Sequence, residues 1–227
     1  MKKNKKIALK NQLNRELKII LGSFFAIVVI AIVFYFTNQN NKLNENINPT
    51  KQDNLTRDFN HKKGPENAKV KIVEFYDPEC EACAAFSPYV KEIISRYQND
   101  IQLTVRYALY HGNSTLAAKA SDAAALQGKF WDFQELLFLN QSEWSHSQVP
   151  AIENFIKYAK DLDLDVLKFQ TDINDLKRME TISIDLEDGK KLGVNGTPTI
   201  FINGKKLENL HPNSFKEKIE EEISKTN

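Results

Sequence analysis

The hydrophobic positions divide the chain into three stretches. The run "IILGSFFAIVVIAIVFYF", residues 19–36, contains eighteen residues without a charged side chain. A helix rising about 1.5 Å per residue over this run covers most of the apolar core of a bilayer. Residues 37–63 contain few apolar side chains and no sustained periodicity, which is typical of a flexible tether. From about Ala68 onwards, alternating runs and helical spacings predict a folded domain.

The first part of this domain predicts a strand, a helix and a second strand. "AKVKIVEFY" and "IQLTVRYAL" are rich in β-branched residues, as strands are. Between them, Asp77 and Pro78 form a helix-start signal. Apolar residues then follow at helical spacing and are expected to face the core: Phe86, Val90, Ile93, Ile94 and Tyr97.

The second part predicts a helical block, a hairpin and a closing helix. Residues 114 to about 190 carry apolar side chains at steps of three and four, which indicates several helices. "TPTIFING" and "KKLENL" predict two short strands that turn at Asn203-Gly204. "PNSFKEKIEEEISK" predicts an amphipathic helix. The chain is therefore expected to fold as an α/β protein.

Charge decides how the uncharged run is interpreted. Residues 1–18 carry seven basic side chains and one acidic side chain, which favours a cytoplasmic N-terminus. A buried core helix would show a polar face, and a cleaved signal peptide would have a shorter apolar region and a small-residue cleavage site. We expect a single-pass anchor in the cytoplasmic membrane over residues 19–36, a tether over 37–63 and an extracytoplasmic domain over 64–227.

The charge of the expected domain argues against one class of partner. The whole chain carries +1, residues 1–18 carry +6 and residues 37–63 carry +2, so residues 64–227 carry −7. Proteins that bind nucleic acids present a basic surface to the phosphates. We therefore expect no nucleic-acid partner.

The stretch "DPECEAC" holds both cysteines of the chain, Cys80 and Cys83. A structural disulfide is compatible with an extracytoplasmic location, but a bridge across so small a loop constrains the unfolded chain little. A zinc site normally needs two further ligands, and the histidines are scattered singly: His61, His111, His146 and His211. A helix start after a strand instead favours a reactive thiolate. We expect a redox centre, with no metal and no cofactor.

Three motifs together resemble the DsbA-type thiol–disulfide oxidoreductases of the thioredoxin-fold superfamily. They are "VEFYDPECEAC", "GTPTIFING" and, between them, "AAALQGKFWDFQELLF". The resemblance covers roughly residues 64–225. It implies a thioredoxin-like fold with a helical insertion at about 114–190, here preceded by a single transmembrane helix.

The resemblance also implies roles for individual residues. Cys80 matches the exposed nucleophilic cysteine of the family, and Cys83 matches its buried resolving partner. Pro198 matches the cis-proline that faces the disulfide, and Thr197 matches the residue that presents its backbone to substrate. The alternative for Thr197-Pro198 is an ordinary turn before a strand. Pro88 matches a helix-kinking proline.

Glu74 matches an acid that family members often bury on the strand beneath the active-site helix. A buried carboxyl group has a raised pKa and can relay protons to or from the resolving thiol. The alternative is an exposed strand residue. Alternation places Glu74 on the sheet face opposite Val73 and Phe75, so it is buried only if helices cover both faces.

These roles imply thiol–disulfide exchange on cysteine-containing extracytoplasmic proteins, with a membrane redox partner that recycles the cysteine pair. Disulfide formation is the first expectation. A reductase or an isomerase would use the same cysteines in another direction, since direction depends on redox potential and partner. A non-catalytic binding module with a structural disulfide is the alternative from another class.

The residues between the cysteines bear on the redox potential. Strongly oxidising members of the family carry Pro-His there, whereas this chain carries Glu81-Ala82. Glu79 and Glu81 place two acidic groups beside Cys80, and nearby negative charge disfavours a thiolate. We therefore expect a less depressed Cys80 pKa, and a less oxidising potential, than in those members.

Overall fold

The structure is a computed structural model that describes residues 55–225. The expected basic segment (1–18), the expected anchor (19–36) and most of the expected tether lie outside the described residues. Among residues 55–225, no helix is both long enough and apolar enough to cross a membrane.

The described residues form an α/β fold around a five-stranded sheet with the strand order β1-β3-β2-β4-β5. The strands are β1 (His61–Lys63), β2 (Val70–Tyr76), β3 (Ile101–Tyr107), β4 (Thr199–Ile202) and β5 (Lys205–Lys206). The helices are α1 (Glu81–Arg96), α2 (Ser114–Ala125), α3 (Phe130–Leu139), α4 (Gln141–Trp144), α5 (Ile152–Asp161), α6 (Val166–Ile173), α7 (Leu176–Leu192) and α8 (Pro212–Ser224).

The central pair of strands is parallel. β2 pairs with β3 from Val70 opposite Ile101 to Tyr76 opposite Tyr107, while β4 pairs antiparallel with β2 on its other side. All seven residues of β3 are buried, and so are six of the seven in β2. Central strands covered on both faces show such continuous burial.

Helices cover both faces of the sheet. On one face, Ile72 and Tyr76 belong to a core cluster with Phe86 of α1 and Phe215 of α8, and the two phenyl rings lie 5.5 Å apart. On the other face, Val73, Phe75 and Phe201 pack with Leu192, the last residue of α7. A polar side chain on either face of β2 is therefore removed from water.

The expected helical insertion is present between β3 and β4, from Ser114 to Leu192. It has a core of its own, in which alanines on one side of α2 meet aromatic side chains from the following helices. The buried residues include Ala117, Ala120, Ala124, Phe133, Leu137, Trp144, Phe155, Tyr158 and Phe169. Small side chains allow α2 to approach its neighbours closely, so the insertion packs as a unit.

The expected boundary between tether and domain at residue 64 is wrong. Leu55 is only 6 % exposed, and β1 pairs antiparallel with β3. The sequence of β1, "HKK", is short and polar, as edge strands commonly are, so it carries no alternation of apolar residues. Besides this backbone pairing, single side-chain contacts attach β1, such as the stacking of His61 on Phe130 at 3.6 Å between ring centroids.

The hairpin predicted at Asn203-Gly204 is confirmed. Both residues have positive φ, 46° and 81°, and they connect Ile202 to Lys205, which pair with each other. A two-residue turn with positive φ at both positions matches the twist of the flanking strands. β5 is shorter than the run "KKLENL" predicts, since only two of its residues pair.

A buried ion-pair network joins the N-terminal segment to the sheet and to α7. Arg106 is fully buried in β3 and donates hydrogen bonds of 2.8 Å to both Asp185 and Asp188. Arg57 donates to Asp188 at 2.8 Å, and the backbone N–H of Tyr107 donates to Asp185 at 3.0 Å. The network therefore holds residues 55–60 against the domain.

We predict that Asp185→Ala lowers the free energy of unfolding by about 3–5 kcal/mol, because it leaves the buried Arg106 without one of its carboxylates. Urea denaturation of the purified full-length protein measures this change. Glu135→Ala is the control, since it breaks an exposed pair with Lys91 and should have a much smaller effect. Equal losses in the two variants would contradict a stabilising role for the buried network.

Candidate active site

Three loops meet at one edge of the sheet. β2 and β3 are parallel and end opposite each other, at Tyr76 and Tyr107, so the loops that follow them begin side by side. β4 runs antiparallel to β2, and its first residue, Thr199, lies opposite Phe75, so the loop that precedes β4 reaches the same edge. Chemistry in open α/β sheets concentrates at this kind of edge.

The two cysteines occupy different positions at the start of α1. Cys80 is the N-cap residue, with φ −80° and ψ 122°, and α1 begins at Glu81. The helix start that we expected at Asp77-Pro78 is therefore placed too early. Cys80 is 8 % exposed, whereas Cys83 lies inside the first turn and is fully buried. Both are free thiols.

The surroundings of Cys80 favour its thiolate. Its pKa is lowered to about 5, first by a hydrogen bond from the Cys83 thiol, then, against the opposing effect of burial, by the Thr197 side chain and the backbone N–H groups of Cys83 and Ala82. These N–H groups are free to bind the sulfur because the first turn of a helix leaves them without intrahelical partners. Cys80 is thus poised as a nucleophile at neutral pH.

The surroundings of Cys83 favour its neutral thiol. Burial is the main cause of its raised pKa, and the hydrogen bond to Cys80 and the charge of Glu74 act in the same direction. Two thiols separated by two residues therefore differ strongly in acidity. The family resemblance implied an exposed Cys80 and a buried Cys83. The buried Cys83 is confirmed, but the expected exposure of Cys80 is wrong, since Cys80 is buried as well.

The loop that precedes β4 faces Cys80. The Thr197-Pro198 peptide bond is cis, as the resemblance implied. The Sγ atom of Cys80 lies 3.4 Å from the backbone oxygen of Thr197. The backbone of Thr197 therefore lies directly beside the sulfur of Cys80.

Glu74 is buried, at 7 % exposure, because α1 covers its side of β2. Burial raises its pKa to about 7. The alternative of an exposed strand residue is therefore wrong. The charge of Glu74 also contributes to the raised pKa of Cys83, which places the two groups within electrostatic reach of each other.

Asp77 joins the loop after β2 to the loop after β3. Its fully buried carboxylate accepts hydrogen bonds from the backbone N–H of Glu79 at 2.9 Å and that of Tyr110 at 2.7 Å. It also accepts one from Nδ1 of His111 at 2.8 Å. Asp77 thus fixes the turn that leads into Cys80 instead of capping the helix.

Glu79 is buried between these two loops and the loop that joins α4 to α5. Its carboxylate accepts from the backbone N–H groups of Asn113 at 2.6 Å and His146 at 2.7 Å, and from the Ser114 hydroxyl at 3.3 Å. Glu79 is fully buried, so its charge is balanced by these donors and not by water. Its neighbour Glu81 points outward and pairs with the imidazole of His146.

The two acidic neighbours therefore disfavour the Cys80 thiolate less than we expected. Glu79 and Glu81 each have a donor partner, and the Cys80 pKa is lowered to about 5 in their presence. The comparison with Pro-His members of the family stays a prediction.

His111 and His146, which the sequence presented as isolated histidines, lie with ring centroids 5.5 Å apart at this site. Their sequence spacing gave no signal of this contact.

Within the part of the chain that the structure describes, no group of three or more histidine, cysteine, aspartate or glutamate side chains is arranged to hold a metal ion. The acidic and imidazole groups near Cys80 are engaged with one another and with backbone N–H groups.

Comparison with known proteins agrees with this geometry. A thioredoxin family model matches residues 57–221. BdbD from Bacillus subtilis, solved in its oxidised form, is 26 % identical with a TM-score of 0.65, covering 72 % of this chain and 92 % of its own. The thiol-disulfide exchange protein alpha-DsbA2 from Wolbachia pipientis is 25 % identical with a TM-score of 0.66, covering 76 % and 91 %.

Curated relatives match over part of their length. The Na(+)/H(+) antiporter NhaA of Herminiimonas arsenicoxydans is 33 % identical over 150 residues, which are 66 % of this chain and 23 % of the antiporter. NhaA 3 of Salinispora tropica is 35 % identical over 156 residues, 66 % of this chain and 22 % of that protein. The chain thus spans about a quarter of these relatives. The family match shows that the chain belongs to the thioredoxin family, and its fold is similar to those of BdbD and the thiol-disulfide exchange protein alpha-DsbA2.

Proposed function

We propose that this chain forms disulfide bonds in extracytoplasmic proteins through Cys80 and Cys83. The observation that carries the proposal is the opposite shift of the two thiols at one helix start: the Cys80 pKa is lowered to about 5, and the Cys83 pKa is raised. A structural pair in a binding module has no need of such a difference in acidity.

The exchange is balanced in electrons and protons. A substrate thiolate attacks Sγ of Cys80 in the enzyme disulfide, and a mixed disulfide forms while Cys83 leaves and takes up a proton. A second substrate thiolate then attacks the substrate sulfur of the mixed disulfide and expels Cys80 as a thiolate. The substrate loses two electrons and the enzyme gains them. A low pKa makes Cys80 a good leaving group in the last step.

Glu74 supplies the proton that Cys83 needs when it leaves. With a pKa of about 7, its carboxyl group is present in both protonation states near neutral pH. The raised pKa of Cys83 makes a free thiolate unfavourable at this buried position, so proton uptake and departure are coupled. Glu74 acts as a relay for this proton, directly or through water.

Thr197 and Pro198 hold the substrate chain. The backbone oxygen of Thr197 lies 3.4 Å from the sulfur of Cys80, so a peptide with its own cysteine at Cys80 lies beside this backbone. Hydrogen bonds between extended backbones depend little on side chains. This mode of binding suits an enzyme that acts on many cysteine-containing proteins.

The direction follows from the stability of the reduced form. A lowered Cys80 pKa stabilises the dithiol state at neutral pH, and this makes the disulfide a better oxidant. Continued oxidation of substrates then requires a membrane partner that removes two electrons from the enzyme dithiol and passes them to a quinone-type acceptor. A reductase would require a partner that delivers electrons instead. Residues 19–36 would anchor the enzyme, with the domain outside the cytoplasm.

We predict that Cys83→Ala accumulates mixed disulfides with extracytoplasmic proteins through Cys80, because Cys80 can still form a disulfide with a substrate cysteine but Cys83 is no longer present to displace that substrate. Non-reducing electrophoresis of acid-quenched cells detects these complexes, and they should collapse on reduction. Cys80→Ala is the matched control and should form far fewer complexes. Wild-type exchange activity in both single variants would support the binding module instead.

For the direction and the location, we predict that Cys80 and Cys83 are mainly oxidised in intact cells. A thiol reagent that does not cross membranes should label them only after reduction of the cells. A parallel sample that is acid-quenched and then alkylated measures the cellular redox state. Mainly reduced cysteines that the reagent labels at once would favour a reductase, and cysteines protected from the reagent until lysis would place the domain in the cytoplasm.

We predict that Glu74→Gln slows exchange and stabilises the reduced protein at alkaline pH. The folded-state pKa of about 7 lies above the usual value of 4.5, so the wild type loses stability as pH rises through this interval. The loss amounts to about 3 kcal/mol, at 1.4 kcal/mol per pKa unit. Urea denaturation at several pH values measures it, and the variant should lack this pH dependence. Slower exchange with unchanged pH dependence of stability would refute a buried, ionising Glu74.

A further inference from the structure

His111 and His146 come from two different loops and meet at the start of α1. His111 lies in the loop between β3 and α2, and its Nδ1 binds Asp77 at 2.8 Å. His146 lies between α4 and α5, and its Nε2 binds Glu81. The two rings pack edge to face, with centroids 5.5 Å apart. Neither histidine has a part in the exchange steps described above.

His111 is tied to the turn that carries Cys80. The backbone oxygen of Asp77 accepts a hydrogen bond from the backbone N–H of Cys80 at 3.1 Å, while the side chain of Asp77 holds the imidazole. Because a carboxylate only accepts, Nδ1 of His111 carries a proton in this contact. The remaining ring nitrogen, Nε2, is the position at which the ring gains or loses its charge.

The groups that face His111 come from several elements. The carboxylates of Asp77 and Glu79 and the Cys80 thiol come from the loop before α1, Tyr110 precedes it, and His146 packs against its ring. Burial lowers the pKa of His111, but the hydrogen bond and charge of Asp77, with the charges of Glu79 and Cys80, raise it above 6.5 overall. Coupling between two charges is mutual, so an imidazolium that the Cys80 thiolate stabilises also stabilises that thiolate.

We propose that His111, oriented by Asp77, is the positioned cation that stabilises the Cys80 thiolate and thereby makes the Cys80-Cys83 disulfide more oxidising. His146 has a supporting role, because it pairs with Glu81 and so gives this exposed carboxylate beside Cys80 a hydrogen-bond partner. The inference rests on the proposed role of Cys80 as the exchanging thiol. It assigns the stabilisation of the Cys80 thiolate to the loop between β3 and α2. The residues between the cysteines, Glu81 and Ala82, do not supply this stabilisation.

The proposal requires a specific pH window. Thiolate and imidazolium coexist above the Cys80 pKa of about 5 and below the His111 pKa, which lies above 6.5. In that window the imidazolium favours the reduced enzyme in its exchange with oxidised glutathione, which yields the enzyme disulfide and two reduced glutathione molecules. At alkaline pH the imidazole is neutral and its stabilisation of the thiolate is lost.

The test is the glutathione equilibrium of the full-length protein, wild type beside His111→Gln. Glutamine can still donate to Asp77 but carries no charge. Within the window, the variant should shift the equilibrium roughly threefold to tenfold towards the enzyme disulfide, about 15–30 mV, and the shift should vanish at alkaline pH. The pH titration of the thiolate absorbance of Cys80 should show a raised pKa in the variant.

Two further variants keep the test decisive. His111→Lys retains a cation into the alkaline range, so at alkaline pH it should hold the equilibrium further towards the reduced enzyme than the wild type does. His211→Gln removes a histidine from the N-cap of α8, outside the site, and should change nothing. Circular dichroism establishes that each variant is folded.

The outcomes separate the two proposals. A His111→Gln equilibrium equal to wild type within the window overturns the inference, while the exchange function stands. A shift of the same size at every pH would mean that His111 has a structural role, and this result also overturns the inference. If wild-type Cys80 and Cys83 form no disulfide with glutathione at any pH, the proposed exchange function itself fails.

Discussion

The parallel pairing of β2 with β3 is the constraint on which the site depends. Its register places Tyr76 opposite Tyr107, so both strands end at one edge and both following loops start there. The carboxylate of Asp77 then binds the two loops together, since it accepts from Glu79 on one and from Tyr110 on the other. A shift of this register would separate Cys80 from the loop that carries His111, although each loop could keep its local structure.

The two thiols differ in acidity because one lies at the helix start and the other lies in the core beneath it. Cys80 precedes the first turn of α1, where backbone N–H groups have no intrahelical partners, whereas Cys83 is fully buried and within electrostatic reach of Glu74 on β2. One environment lowers a pKa and the other raises it. The carboxyl group that the fold buries for this purpose costs stability in its charged form, which is a common balance between function and stability at active sites.

Periodic features of the fold could be predicted from the sequence, and single contacts could not. The alternation in β2 and β3 and the helical spacing of Phe86, Val90 and Ile93 correspond to buried faces, because a repeated pattern reports a repeated environment. β1 was missed because a short polar edge strand has no such repeat. Cys80 and Cys83 were identified as a redox centre from their position at a helix start, whereas their separate roles, the cis bond before Pro198 and the burial of Glu74 were reached through the family resemblance.

The site residues that escaped prediction are joined by long-range contacts. His111 is 34 positions from Asp77, and His146 is 65 positions from Glu81, so no spacing rule links either pair. The sequence likewise shows Glu79 and Glu81 only as acidic neighbours of Cys80, whereas the fold gives the first backbone donors and the second an imidazole. The electrostatic field at a thiol depends on how each neighbouring charge is solvated and paired, and this becomes known only when the loops that supply the partners are placed. In this chain, those loops turn an acidic sequence motif into a site that stabilises an additional negative charge.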